Sequence, residues 1–400
     1  MTDQGQSLSP PARPLSIALW NFSSQWFLVA QGTGIIGVIL HRLDYQFNGL
    51  QTLAKIVWIY TIVLLGLGLA GYLLRVILYP RHVRQQLRHD LIETSCLASL
   101  PIAFTSILQV AALQYGHRAG LAIYILWWVQ TGLAVVACLG IPYVQLQLQP
   151  QGIQRLPPAS LLPFIAALTS AAGGGVICRY TYVSPRLQVP ALVVSYLEVG
   201  AGLALAAGFD AMILVQHFDQ FRPAPEKVFA DMIVCGPFGQ GAFALQVLGE
   251  TVQHGSFAAY HRGTFLTAQA AIPIGYASQF LGLLTWGSGI FWWCFAILSI
   301  CHTLCAQPGG WRHTQFSMAA WSLIFPWGVF TNAAVEFGKI MDSPAFAVVS
   351  TGLLLILLLL WLVVQGLTIK GIITGRIFGL DRGWKRGSLG RGDSTEPKDV

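Results

Sequence analysis

The chain has 400 residues, of which 54% are hydrophobic and 10% charged, whereas a soluble domain carries roughly a quarter charged residues. Too few polar groups are present to cover a water-facing surface, which excludes an ordinary soluble globule and leaves lipid as the main solvent. The formal net charge of +7 does not point to nucleic acid, because the basic residues gather at the edges of apolar runs.

Residues 1–15 are polar and Pro-rich and read as a disordered cytoplasmic tail. The apolar stretch behind them is too long, and has too little positive charge before it, for a cleaved signal peptide. Ten apolar runs follow, near 18–40, 51–78, 93–113, 120–146, 160–178, 189–216, 227–253, 265–305, 316–338 and 344–368. Several reach the roughly 20 residues that cross about 30 Å of hydrocarbon. The eighth is long enough for two spans, with Gly282, Gly287 and Gly289 flanking Trp286 as a place to turn. The densest basic clusters are Arg75, Arg81, His82, Arg84 and Arg88, and Lys370, Arg376, Arg382, Lys385, Arg386 and Arg391. Both belong in the cytoplasm by the positive-inside rule. That demands an even number of crossings between them, so the eighth run is predicted to be one long helix and both termini cytoplasmic. The predicted domains are the tail 1–15, a ten-helix transmembrane domain 16–368 and a basic cytoplasmic tail 369–400.

Helix breakers recur in the odd-numbered runs. The first holds Gly32-Thr33-Gly34 and Gly37, the third Pro101, the fifth Gly173-Gly174-Gly175, the seventh Gly236-Pro237 with Gly239-Gln240-Gly241, and the ninth Phe325-Pro326. A broken span frees backbone groups that lipid cannot satisfy, so such breaks belong where neighbours or a water-filled cavity replace the lost bonds. The competing explanation is that Gly and Pro are common in membrane helices and small residues help them pack. Five hairpins with one interrupted member each predict an all-α integral membrane protein: an inner ring of five kinked helices around a central pore, and five straighter helices outside. The expected pathway residues are Thr33, Gly34, Pro101, Thr169, Gly174, Pro237, Gln240 and Pro326. Polarised N–H groups and neutral donors there would hold an anion weakly.

No Arg or Lys falls at the centre of an odd run, so no strong fixed cation is expected in the pore. Asp210, well inside the sixth run, admits two readings, a proton-coupling group or a structural carboxyl. Glu198, Asp231, Glu250 and Glu336 lie nearer the ends of their runs, where water can reach them. Cys96, Cys138, Cys178, Cys235, Cys294, Cys301 and Cys305 lack metal-site spacing and read as small packing residues. An integral membrane enzyme would need paired aspartates or a histidine cluster; Asp381 and Asp393 stand alone, and His82, His89, His254 and His261 are scattered. No catalysis, metal or cofactor is therefore expected.

The segments Gly236-Pro237-Phe238-Gly239-Gln240-Gly241-Ala242-Phe243 and Trp321-Ser-Leu-Ile-Phe325-Pro326-Trp-Gly328 resemble signatures of the tellurite-resistance/dicarboxylate transporter family, in particular its fungal sulfite efflux pumps and malate permeases. Gly32-Thr33-Gly34, Arg75 with Tyr79-Pro80, and Leu126-Trp127-Trp128 support the resemblance. It implies ten helices in a quasi-fivefold ring, an aromatic gate at Phe325, and a homodimer or homotrimer. It also implies transport of a small anion, sulfite first, with malate or another organic acid as the alternative. The family's fungal pumps carry an acid just after the Trp-Trp pair, where this chain has Val129 and Gln130, so their coupling chemistry does not transfer directly. An inside-negative potential favours export, by about 2.3 kcal/mol per charge per 100 mV. The long spans suit a plasma membrane.

Overall fold

The computed structural model describes residues 13–149, 152–219, 225–306 and 316–380. Residues 1–12 of the tail, and Arg382, Lys385, Arg386 and Arg391 of the basic segment, lie outside the described residues. Regular structure among the described residues is helical, apart from one isolated bridge between Arg262 and Leu266.

A short helix α1 (Pro14–Trp20) precedes α2 (Trp26–Arg42), so the first predicted run is divided at residues 21–25. There follow α3 (Leu50–Leu78), the basic α4 (Pro80–His89), α5 (Leu91–Cys96) and α6 (Ser99–Leu148). The second half comprises α7 (Leu162–Tyr180), α8 (Pro185–Phe218), α9 (Gly236–Thr251), α10 (Phe257–Tyr260), α11 (Ala268–Ala306), α12 (Ile324–Met341) and α13 (Pro344–Ile373). The long eighth run is one continuous helix, α11. Among the described residues, eight helical stretches are long and apolar enough to cross a membrane.

Helix α6 folds back on itself at Ala119, whose backbone leaves helical geometry at φ −122° and ψ 17°. Gln130 Nε2 donates to the Pro101 carbonyl at 3.3 Å, and Gln145 Nε2 donates to Ser95 Oγ at 2.8 Å. These bonds pair the second half of α6 antiparallel with its first half and with α5, as the separate third and fourth runs require. The bend is seated on the end of α7: a Cβ at Gly116 would lie 2.0 Å from the Tyr180 carbonyl oxygen, and one at Gly120 2.3 Å from that of Thr181. Backbone cannot yield as a rotamer can, so Gly116→Ala is expected to destabilise the protein by about 1–3 kcal/mol. Thermal unfolding of the detergent-solubilised variant measures this.

Helices α2, α7, α9 and α12 are almost wholly buried, whereas α3, α8, α11 and α13 expose broad apolar faces. Buried and exposed helices alternate along the chain as packed pairs, α2 with α3, α7 with α8, α9 with α11 and α12 with α13. The buried members also touch in a closed cycle: α2 against α6, α6 against α7, α7 against α9, α9 against α12, and α12 back against α2. Their registers run in the same direction. The Cβ position of Gly32 meets Ile324 and that of Gly328 meets Ile35, while Gly236 meets Ile165 and Pro326, and Gly175 meets Val247.

The glycine runs behave differently from expectation. Both α2 across Gly32–Gly37 and α7 across Gly173–Gly175 are unbroken. What these glycines provide is close approach: an added Cβ would come within 2.9 Å of Ser106 Cβ at Gly34, 2.6 Å of Thr105 Cγ2 at Gly173 and 2.7 Å of Val247 Cγ2 at Gly175. Small residues let helices pack where apolar lipid offers no hydrophobic drive. At the entrances of α9 and α12 the chain leaves α geometry instead, as 3-10 turns Pro225–Cys235 and Met318–Leu323. Pro101, Pro237 and Pro326 then sit in first turns, where a missing N–H breaks no helical bond.

Candidate functional site

The entrances to the buried helices converge on a cavity of about 1260 Å³. Leu28 of α2, Leu91 and Ile92 of α5, Leu162 of α7, Ala230 and Asp231 ahead of α9, and Ser322 ahead of α12 line it. His82 and His89 of α4 also reach it. Burial, and then the positive charge of Arg75, lower the His82 pKa, which keeps that imidazole neutral around pH 7. Its ring stacks on Trp20 at 3.8 Å.

A buried polar strut fixes this mouth. Arg75 Nη1 contacts Glu93 Oε1 at 2.5 Å, and its Nη2 donates to Gln86 Oε1. The other Glu93 oxygen accepts from the Ser24 amide at 3.1 Å, and Ser24 Oγ donates to the Glu93 carbonyl at 2.6 Å. One guanidinium thus ties α3, α4, α5 and the start of α2. The C-terminal segment joins the same face: Asn21 Nδ2 donates to the Phe378 carbonyl at 2.7 Å, and the Phe378 ring stacks on Trp26. The described parts of both basic clusters therefore lie at one end of the molecule.

Deeper in, several buried amides keep polar atoms without hydrogen-bond partners: Gln31 Oε1, Gln109 Nε2, Gln240 Oε1, and both side-chain atoms of Gln246 and Asn332. Buried polar groups are ordinarily satisfied, so these amides stand out as polar groups inside the bundle. All five belong to the helices of the closed cycle. At the far end stands Arg42, 4% exposed. Its Nη2 pairs with Glu336 Oε2 of α12, and its guanidinium carbon lies 5.2 Å from the Phe243 ring centre and 5.9 Å from that of Tyr180. Arg179 and Glu250 pair beside it at 3.5 Å. Asp44, in the loop after α2, has its pKa raised chiefly by burial.

The residues expected from sequence divide. Gln240 is buried with its Oε1 free, and Phe325, Pro326 and Pro237 are buried just beyond the cavity. Thr33 Oγ1 donates to Val29 O at 2.8 Å and accepts from Trp361 of α13 at 3.2 Å. Thr169 Oγ1 donates to Ile165 O at 2.7 Å. The Pro101 carbonyl accepts from Thr105 at 2.8 Å as well as from Gln130. Gly34 faces Ser106 and Thr61, and Gly174 faces Ser195 and Trp127. Asp210, on α8, is buried with both carboxylate oxygens unpartnered.

Sequence reading missed Gln31, Gln109, Gln246, Asn332 and Arg42. The four amides recur on odd-numbered runs, a signal within reach. Arg42 fell just past the predicted end of the first run at residue 40, and nothing local shows that its partner is Glu336.

A chain whose described residues form many membrane-length helices with unpartnered buried amides among them is an integral membrane protein of the transport class. The chain belongs to the SLAC1 voltage-dependent anion channel family, whose profile matches residues 21–369. It is 28% identical over 370 residues to the sulfite efflux pump SSU1 of Arthroderma benhamiae, covering 90% of this chain and 94% of that protein. The sulfite efflux pump SSU1 of Trichophyton rubrum is equally similar, at 28% over 370 residues with the same coverage. The malic acid transport protein of Schizosaccharomyces pombe is 23% identical over 371 residues, covering 92% of this chain and 82% of that protein.

Proposed function

We propose that the protein exports sulfite through a central pore framed by α2, the first half of α6, α7, α9 and α12. The observation that carries this reading is the closed cycle of parallel buried helices, whose entrances share one cavity and whose interior holds unpartnered amides. The likeness to sulfite efflux pumps over most of the chain supports the substrate. Ten crossings follow if α2 spans and α6 counts twice about Ala119. The transmembrane domain then runs over residues 16–368, between cytoplasmic tails 1–15 and 369–400, in a plasma membrane.

In this reading the cavity is the cytoplasmic vestibule. Phe325 lies one helical turn beyond Ser322, at the level where Ile165, Gly236 and Pro326 meet, and serves as the gate. An apolar constriction resists a hydrated anion by dewetting. The test is flux of sulfite, malate and chloride in proteoliposomes under a set voltage, with and without a pH gradient. Voltage-driven sulfite flux indifferent to the gradient is expected; a preparation that carries no sulfite sinks the reading.

Proton-coupled dicarboxylate transport is the second reading, and the unpartnered buried carboxylate of Asp210 favours it. There malate flux follows the pH gradient, and Asp210→Asn is expected to abolish that dependence. Gradient-driven flux that persists in Asp210→Asn assigns the coupling to another group.

A further inference from the structure

We propose that Arg42 forms an anion-binding site at the far end of the pathway, in which Glu336 is a tethered competitor that occupies the guanidinium between passing anions. The inference rests on the transport reading and adds to it a site and the residue that empties it.

Position comes first. Arg42 extends from the last turn of α2; its guanidinium is paired by Glu336 of α12, covered by the Phe243 ring of α9, and flanked by the Tyr180 ring at the end of α7. Four helices of one cycle thus converge on a single side chain, which places it at the centre of the cycle. Tyr180 also seats the bend of α6, the remaining helix of the cycle, through Gly116.

Valence comes second. The guanidinium carries five N–H donors in a planar fork that suits two oxygens of one anion. Only Nη2 has a partner: Nε and Nη1 are buried with none. A 4% exposed cation with two unused nitrogens is an incomplete oxyanion site, and the aromatic faces above it supply no acceptor oxygen. They do stabilise the cation and exclude water.

Charge comes third. Glu336 neutralises Arg42, which would otherwise be a buried charge without compensation. It thereby holds the site in the absence of a mobile anion. Arg179 and Glu250 balance each other beside the pair, so an arriving oxyanion binds the free edge of the fork and displaces one carboxylate oxygen. The return of Glu336 then releases the anion. A small oxyanion such as sulfite fits this exchange, since it offers the same pair of oxygens as the carboxylate it replaces.

The test uses the full-length chain in proteoliposomes and, in parallel, thermal stabilisation of the purified protein by sodium sulfite. Glu336→Gln keeps the side-chain shape and removes the competing charge. The sulfite concentration for half-saturation, in flux or in stabilisation, is expected to fall about tenfold, the effect of one charge-assisted hydrogen bond gained. The double variant Arg42→Gln/Glu336→Gln, which removes both charges of the pair, is expected to lose that gain. A folded Glu336→Gln protein with unchanged or raised half-saturation overturns the proposal, as does a folded double variant that keeps the tightened value. If the double variant does not fold, Glu336→Gln decides alone. Wild-type protein that carries no sulfite fails the transport reading instead, and the stabilisation series still judges the site.

Discussion

Phe325→Ala is expected to raise voltage-driven sulfite flux on the order of tenfold, equivalent to about 1.4 kcal/mol off the barrier. The ring is 2% exposed and belongs to the first turn of α12, behind a 3-10 segment whose Ser322 lines the cavity. Under the proposed gate, removing it widens the passage where Pro326, Gly236 and Ile165 crowd together. Water can then remain in the constriction and accompany the ion. A Phe that merely fills space between helices predicts something different, a loss of about 3–5 kcal/mol of stability with no gain in flux. Flux and thermal unfolding on the same preparation separate the two, and unchanged flux in folded protein sinks the gate.

Arg75→Ala is expected to be the most damaging single change at the mouth cavity. It leaves the Glu93 carboxylate, itself 3% exposed, without its cation, and losing one partner of a buried pair costs about 3–5 kcal/mol. It also releases Gln86 of α4 and so loosens the basic helix from the mouth. Arg75→Ala/Glu93→Gln is expected to recover part of the loss, because the stranded charge is gone while the amide keeps a bond to Ser24. Arg75→Lys is not a conservative repair: one ammonium cannot reach Glu93 and Gln86 with the same planar geometry. Equal unfolding temperatures for Arg75→Ala and the double variant rule out the stranded charge as the cause.

Much of the architecture was legible because lipid imposes a simple rule on sequence. The run 51–78 became α3, Leu50–Leu78, and the run 344–368 became α13, Pro344–Ile373, since apolar length alone decides such helices. Charge asymmetry favours a single helix for the eighth run, and α11 is one continuous helix. The glycines were legible as unusual but not in their role, because a gap in a helix and a groove for a neighbour are written with the same residue. Gly173–Gly175 became a groove for Thr105, Trp127 and Val247. The polar ends were the least legible. His41 and Arg42 look like the aqueous end of a span, and only the distant Glu336 makes burial of that charge tolerable.

That distance has a consequence for how the protein is made. Arg42 and Glu336 are separated by 294 residues, so a growing chain carries an unmatched cation through most of its synthesis, roughly 15 to 60 s at about 5–20 residues per second. During that interval the guanidinium lacks the carboxylate that pairs it in the folded protein. The final hairpin brings the carboxylate and the last side of the cycle together, so the charge is matched and the ring closed in the same step.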